Sequence, residues 1–240
     1  MTAAGNRARR RDARLDQILD QAMSMLTVEG ADALTLGRLA EAMSVTPAAL
    51  YRYVASKDEL VVRLQERSLA GLATIVARSR EAWARSDVIQ GAAPALRPLI
   101  ALFGWARLYV RLREDDSPHI QLISVLVGDT RPVVSDDWAR RVMPRWMALL
   151  GHAAEIIADA VACEVLAPGD ATERAALLWA SVHGIAQTHK LRRLASSVFA
   201  IRTLAREATA ALALRWGATL ADVEAASAAA DRLRLRVPAT

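Results

Sequence analysis

Cysteine occurs once, at position 163, so no disulfide can form within the chain, and that usage fits a reducing compartment. Long apolar runs are missing as well. No stretch reaches the roughly 18 uncharged apolar residues that a membrane-crossing helix needs, so no membrane partner is expected. The N-terminal MTAAGNRARRRDAR is basic but has no apolar segment behind it, which excludes a secretory signal. These absences lead to the expectation of a cytoplasmic protein. Glycine and proline are sparse, 11 and 8 among 240 residues, while 53% of the chain is hydrophobic, mostly alanine and leucine. That balance favours helices throughout, disfavours a β-rich fold, and sets the fold class as all-α.

The usual signatures of catalysis are missing too. The four histidines, His119, His152, His183 and His189, fall in no E-x-x-H or H-E-x-x-H arrangement. No cysteine pair offers a zinc site. Neither phosphate-binding glycine motif is present, nor a G-x-S-x-G elbow. The sequence therefore gives no catalytic residue, no metal ligand set and no cofactor. What it does give is a formal net charge of +5, which suits a polyanionic partner.

The most informative stretch is Thr35 to Lys57, TLGRLAEAMSVTPAALYRYVASK. Leu36, Leu39, Ala40 and Met43 repeat at helical spacing and make one apolar face. Ser44 and Val45 break the period. Thr46-Pro47 restarts a helix, the hydroxyl capping free N–H groups and the proline occupying the first helical position. Leu50 turns inward, leaving Ala48, Ala49, Tyr51, Arg52 and Tyr53 facing out or sideways. A short helix, small at its start and edged by Tyr and Arg, suits a DNA major groove. Ser56-x-x-Glu59 reads as a capping box that starts the next helix. Lys57 then sits in a first turn, where the helix dipole disfavours a cation.

This stretch, T-L-x-x-L-A-x-x-x-x-V-T-P-A-A-L-Y-R-Y-V-x-S-K-x-E-L, resembles the DNA-binding domain of TetR-family transcriptional regulators, over residues 12–72. The resemblance implies a three-helix helix-turn-helix domain at the N-terminus and a helical ligand-binding and dimerisation domain over 73–240. It also implies a homodimer on double-stranded DNA with a pseudo-palindromic operator, and a small-molecule effector. Carried residue by residue, it implies phosphate contacts from Thr35, Tyr51 and Lys57 and base contacts from Pro47, Ala48 and Arg52. Thr46 and Tyr53 complete the expected DNA-binding set, within a helix-turn-helix over 35–54.

Before this domain, residues 1–11 read as a disordered basic arm carrying Arg7, Arg9, Arg10 and Arg11, either a solvated tail or a strand laid along phosphates. A first helix is expected from Asp12 to Val28, ended by Gly30. The helix from Asp58 continues past residue 75. Gly91, Pro94 and Pro98 mark the clearest break. A helix over Leu99–Arg113 follows, then a short one over Ile120–Val127 and a loop at Gly128–Pro132. Asp136–Val165 reads as a helix that Pro144 kinks or divides. Ala171–Arg193, Ser196–Trp216 and Leu220–Arg234 complete the chain, and the resemblance implies that the first two of these form the dimer contact.

Aromatic groups are spread through these apolar helices. Phe103, Trp105, Tyr109, Trp146, Trp179 and His183 are the candidate lining of a ligand pocket, with Trp138 a further aromatic in the region. Core packing explains each singly; together they supply apolar surface with a few polar points. Gly184 in WASVHGIAQ suggests close helix approach, within the subunit or across a dimer. Two other classes stay open: a constitutive or architectural DNA-binding protein without a ligand, and an enzyme on a helical bundle.

Overall fold

The computed structural model describes residues 3–128 and 135–235. Among these the chain is helical, with eleven α-helices, three short 3-10 segments and no strand. It divides into two compact units: one formed by residues up to 69 together with 118–145, the other by residues 70–117 together with those from 146 on.

The first unit begins with α1 (Ala3–Glu29), which ends at Gly30 with φ +88. Residues 3–11, expected to be disordered, are the first turns of this helix. The reason is local: the segment is rich in Ala and Arg, good helix formers, and free of proline. Arg7 to Arg11 are exposed along it. After a 3-10 turn, α2 (Leu36–Ala42) and α3 (Pro47–Tyr51) follow, separated by Ser44 at φ 54. Next comes α4 (Lys57–Ala84), whose start belongs to this unit. Ile18, Leu19, Ala22 and Leu26 of α1 pack with Leu39, Leu50, Val54, Leu60 and Leu64 in one core. Leu39 and Leu50 are among the residues that the sequence pattern turns inward.

Leu122 lies in the same core. It belongs to α7 (Pro118–Gly128), which the sequence reading placed in the second domain. The start of α8 (Asp136–Ala162) joins this unit too, where Arg145 pairs with Glu66 at 2.7 Å. The loop expected at Gly128–Pro132 lies, after Gly128, outside the described residues. Pro144 does not divide α8, which runs unbroken through it. The division between units nevertheless falls one residue later, between Arg145 and Trp146.

The second unit is organised on α6 (Arg97–Glu114), buried along much of its length. Around it stand α5 (Asp87–Gln90), the end of α4, the end of α8, α9 (Ala171–Gln187), α10 (Ile201–Arg215) and α11 (Leu220–Asp231). Gly104 is where α6 admits its neighbours: a Cβ there would lie 2.9 Å from Leu233 Cδ1 and 3.3 Å from Trp83 Cζ3. Trp83 Nε1 donates to the Arg234 carbonyl at 3.2 Å, and Arg107 donates to the carbonyls of Ala230 and Asp231. The C-terminal helix is thereby fastened to α6.

Candidate nucleic-acid interface and aromatic cavity

The interface begins with its caps. Thr35 Oγ1 accepts from the Arg38 N–H at 3.2 Å and starts α2; Thr46 Oγ1 accepts from the Ala49 N–H at 3.2 Å and starts α3. A hydroxyl has one donor and two acceptor sites, so each threonine still has its O–H to offer after capping. Leu50 and Val54, each 1% exposed, anchor α3 to the core. The other face is open: Thr46, Pro47, Ala48, Tyr51 and Arg52 are exposed, Tyr51 at 54%. Tyr53 differs from expectation. It is half-buried and packs against the core, in the turn after α3 where its N–H donates to the Leu50 carbonyl at 2.9 Å.

The start of α4 departs slightly from a capping box. Ser56 Oγ accepts from the Glu59 N–H at 3.0 Å, but the Glu59 carboxylate reaches back to the Ala55 N–H at 2.7 Å. Burial raises the Glu59 pKa, but the Ala55 N–H and the Arg63 guanidinium outweigh it and hold the carboxyl below its usual range. Lys57 beside it is half-exposed. Thus the unit presents the uncharged tip of α3 with Arg52 and Lys57 at its edge.

The second unit gathers most of the expected pocket residues. Trp105 and Tyr109 of α6 lie 5.8 Å apart by ring centroids, and Trp179 stacks on His183 of α9 at 5.1 Å. Tyr109 meets His183 edge-on at 6.0 Å, and Trp146 meets Trp179 at 5.4 Å. Trp105, Tyr109, Trp146 and Trp179 close a cavity with Leu72, Val76 and other aliphatic side chains. Its volume is about 20 Å³, room for about one water.

Behind the cavity, Tyr109 Oη and His183 Nδ1 are 2.6 Å apart, and His183 Nε2 is 2.9 Å from Gln187 Nε2. Burial pushes the Tyr109 hydroxyl well up. The Trp179 N–H and the charge of Arg113 oppose that shift, although the Trp179 N–H falls short of hydrogen-bonding geometry. Burial, and then Arg113, lower the His183 pKa, so the ring is neutral.

One candidate, Phe103, and the further aromatic Trp138 lie elsewhere. Phe103 is two residues from Trp105, far round the helix from it. It lines a separate cleft of about 440 Å³ with Arg107, Arg111, Arg202 and Arg206. Trp138 belongs to the first unit, where Arg141 lies over its ring at 4.5 Å. Arg113 and Gln187 are the members of the cluster that sequence reasoning missed. The signal was available: Trp105, Tyr109 and Arg113 are spaced i, i+4, i+8, as are Trp179, His183 and Gln187.

Residues 18–64 match the model of the bacterial regulatory proteins of the tetR family. No curated protein matches the chain by sequence. Solved structures do resemble it. SmeT, the repressor of the Stenotrophomonas maltophilia multidrug efflux pump SmeDEF, in complex with triclosan, is 15% identical over 85% of this chain and 91% of its own, with a TM-score of 0.61. The TetR-family regulator PfmR from Thermus thermophilus is 18% identical over 93% and 99%, at 0.53. RolR in complex with resorcinol is 15% identical over 96% and 98%, at 0.54. At these identities the likeness is one of fold. The regulators of the matched family are non-enzymes, which sets the bundle-enzyme alternative aside. The chain thus carries the DNA-binding domain of the TetR family of bacterial regulators, on the all-helical fold of such regulators.

Proposed function

We propose that this protein is a homodimeric repressor that holds a pseudo-palindromic operator and is released from it by a small, largely apolar ligand. TetR-family regulators are DNA-binding transcriptional repressors, some of them ligand-responsive. The observation that carries the reading here is the open face of α3, with Leu50 and Val54 rooted in the core and Pro47, Ala48, Tyr51 and Arg52 turned outward.

In this reading Thr35, Tyr51 and Lys57 hold phosphates and fix register. Pro47 and Ala48 lie against bases, and Arg52 reads a base edge by hydrogen bonds. Thr46 caps α3 and offers its O–H to the backbone. Tyr53, half-buried, keeps a supporting role. Two copies of the chain join through α9 and α10, where Leu177 at 49% and Leu214 at 40% exposure leave apolar surface open. The protein works in the cytoplasm; no helix among the described residues is long and apolar enough to cross a membrane.

The aromatic cavity is the effector site in this reading. α4 begins at Lys57 and carries Leu72 and Val76 into the cavity wall, so one helix joins both functions. To swing a population from 1:99 to 99:1, a ligand needs about 5.5 kcal/mol of preference for one state. Burying roughly 200–300 Å² of apolar surface at about 25 cal/mol/Å² is enough in gross terms. The larger cleft by Phe103 is less suited, because its arginines are engaged: Arg107 with Asp231, Arg202 with Glu114, Arg111 with Asp115 and Arg206 with Glu207. The triclosan and resorcinol complexes of SmeT and RolR support an aromatic effector.

One observation favours a second reading, a constitutive DNA-binding protein: the cavity is only about 20 Å³. Capture of genomic fragments on the protein, followed by elution with candidate small molecules, separates the two. Selective capture with elution by an aromatic ligand supports the first. Capture that no ligand reverses supports the second, and absence of selective capture defeats both.

A further inference from the structure

The polar atoms without a partner near the aromatic cavity are N–H donors. Two helical stripes meet there, Trp105–Tyr109–Arg113 on α6 and Trp179–His183–Gln187 on α9. The Tyr109–His183–Gln187 chain partners itself. Trp105 Nε1, Trp179 Nε1 and Arg113 Nε do not share in it; each is buried without a hydrogen-bond partner. Trp105 is only 4% exposed, and a buried indole ordinarily finds an acceptor. All three are N–H groups with no acceptor capacity. Apart from the Tyr109 hydroxyl, already paired with His183, no oxygen-bearing side chain lines the cavity, whose remaining wall is tryptophan and aliphatic.

The Arg113 guanidinium pairs with Asp116 at 3.4 Å. Burial dominates at both neighbours, disfavouring ionisation of Tyr109 and protonation of His183; the Arg113 charge opposes the first effect and adds to the second.

We propose that the ligand of this cavity is a single-ring aromatic acid, bound as its carboxylate. The ring lies among the aromatic and aliphatic side chains, and the carboxylate oxygens accept from the indole N–H groups of Trp105 and Trp179 in the field of Arg113. The assignment rests on the ligand-responsive reading above. A carboxylate is costly to bury unless its oxygens are met, and here the indole N–H groups of two cavity-lining tryptophans lack an acceptor, with Arg113, itself paired with Asp116, one turn beyond Tyr109. An aromatic amine would set donors against donors and a cation beside Arg113. An unsubstituted arene would leave the N–H groups as they are. Because the cavity is about 20 Å³, even one ring enters only as Leu72, Val76 and their neighbours move. Ligand size and the displacement of α4 are therefore linked.

The test is calorimetric titration of the full-length protein with benzoate, benzylamine and toluene, each also added to the protein on its captured DNA. Benzoate is expected to bind at least tenfold more tightly than the other two and to release the DNA. Trp105→Phe and Trp179→Phe keep a ring and remove the N–H. Each is expected to weaken benzoate on the order of 10- to 100-fold while leaving toluene affinity nearly unchanged, which controls for folding. Arg113→Gln should weaken benzoate and flatten its salt dependence. Equal affinity for benzylamine or toluene overturns the assignment, as does an equal loss of benzoate and toluene in the Phe variants. If toluene releases the DNA and benzoate does not, the acid is wrong and the ligand-responsive reading stands. If none of the three binds while DNA is still held, the cavity fails as an effector site and the acid with it.

Discussion

Arg52 and Lys57 stand close together in sequence, yet they are expected to fail differently. Arg52 is exposed at the end of α3, where a guanidinium can reach a base edge. Arg52→Ala should relax sequence preference, with affinity lost mainly on the best sites. Lys57→Ala should weaken binding to all sequences and reduce the salt slope by about one. Titrations at two salt concentrations on selected and random duplexes check both. If Lys57→Ala left affinity unchanged at both, its phosphate role would be wrong. The same scale holds a pH prediction. Burial lowers the pKa of His183, and of His119 and His152, so folding disfavours their charged forms. Below the unfolded pKa of about 6.5 the unfolded chain takes up protons first, so stability falls as pH drops through that value. The melting temperature should decline from pH 7 to 5, and less steeply in His183→Gln. At this scale most of the open face of α3 was legible, because Leu50 fixes which side is inward. Tyr53 was misplaced because its inward lean depends on the surrounding core rather than on its own type.

Caps and turns were the most legible elements, since they depend on chemistry within a few residues. Thr46, the Ser56 start and Gly30 all act where the sequence put them. Thr46→Ala should cost about 1 kcal/mol through α3, and Thr46→Ser much less; thermal melts of the two variants decide it. Elements governed by distant partners were less legible. α7 carries an apolar pattern that any core could accept, and only packing with α1 assigns it to the first unit. Pro144 was expected to kink or divide its helix; α8 runs through it unbroken. α1 reaches back to Ala3 because nothing in the basic segment stops it.

Assembly belongs to the scale of the whole molecule. Gly184 is exposed on α9, and a Cβ there would meet nothing within 4 Å in its own subunit. Its smallness is therefore not needed inside one chain, and the dimer proposed above would use it for close approach. Gly184→Trp and Leu177→Asp should shift the sedimenting species from dimer to monomer without lowering helix content. Dimers that survive both changes would move the contact away from α9. The aromatic residues of the cavity can be picked out one by one in the sequence, but which of their N–H groups go without a partner emerges only once α6 and α9 are side by side.

The most direct measurement of the central claim is selection of bound sequences from a pool of duplexes, by the unaltered protein and by a variant carrying Tyr51→Ala, Arg52→Ala and Lys57→Ala. The account predicts a pseudo-palindrome with half-site centres about 34–36 Å apart for the former and no enriched sequence for the latter. The same palindrome enriched by both proteins, or by neither, would contradict it.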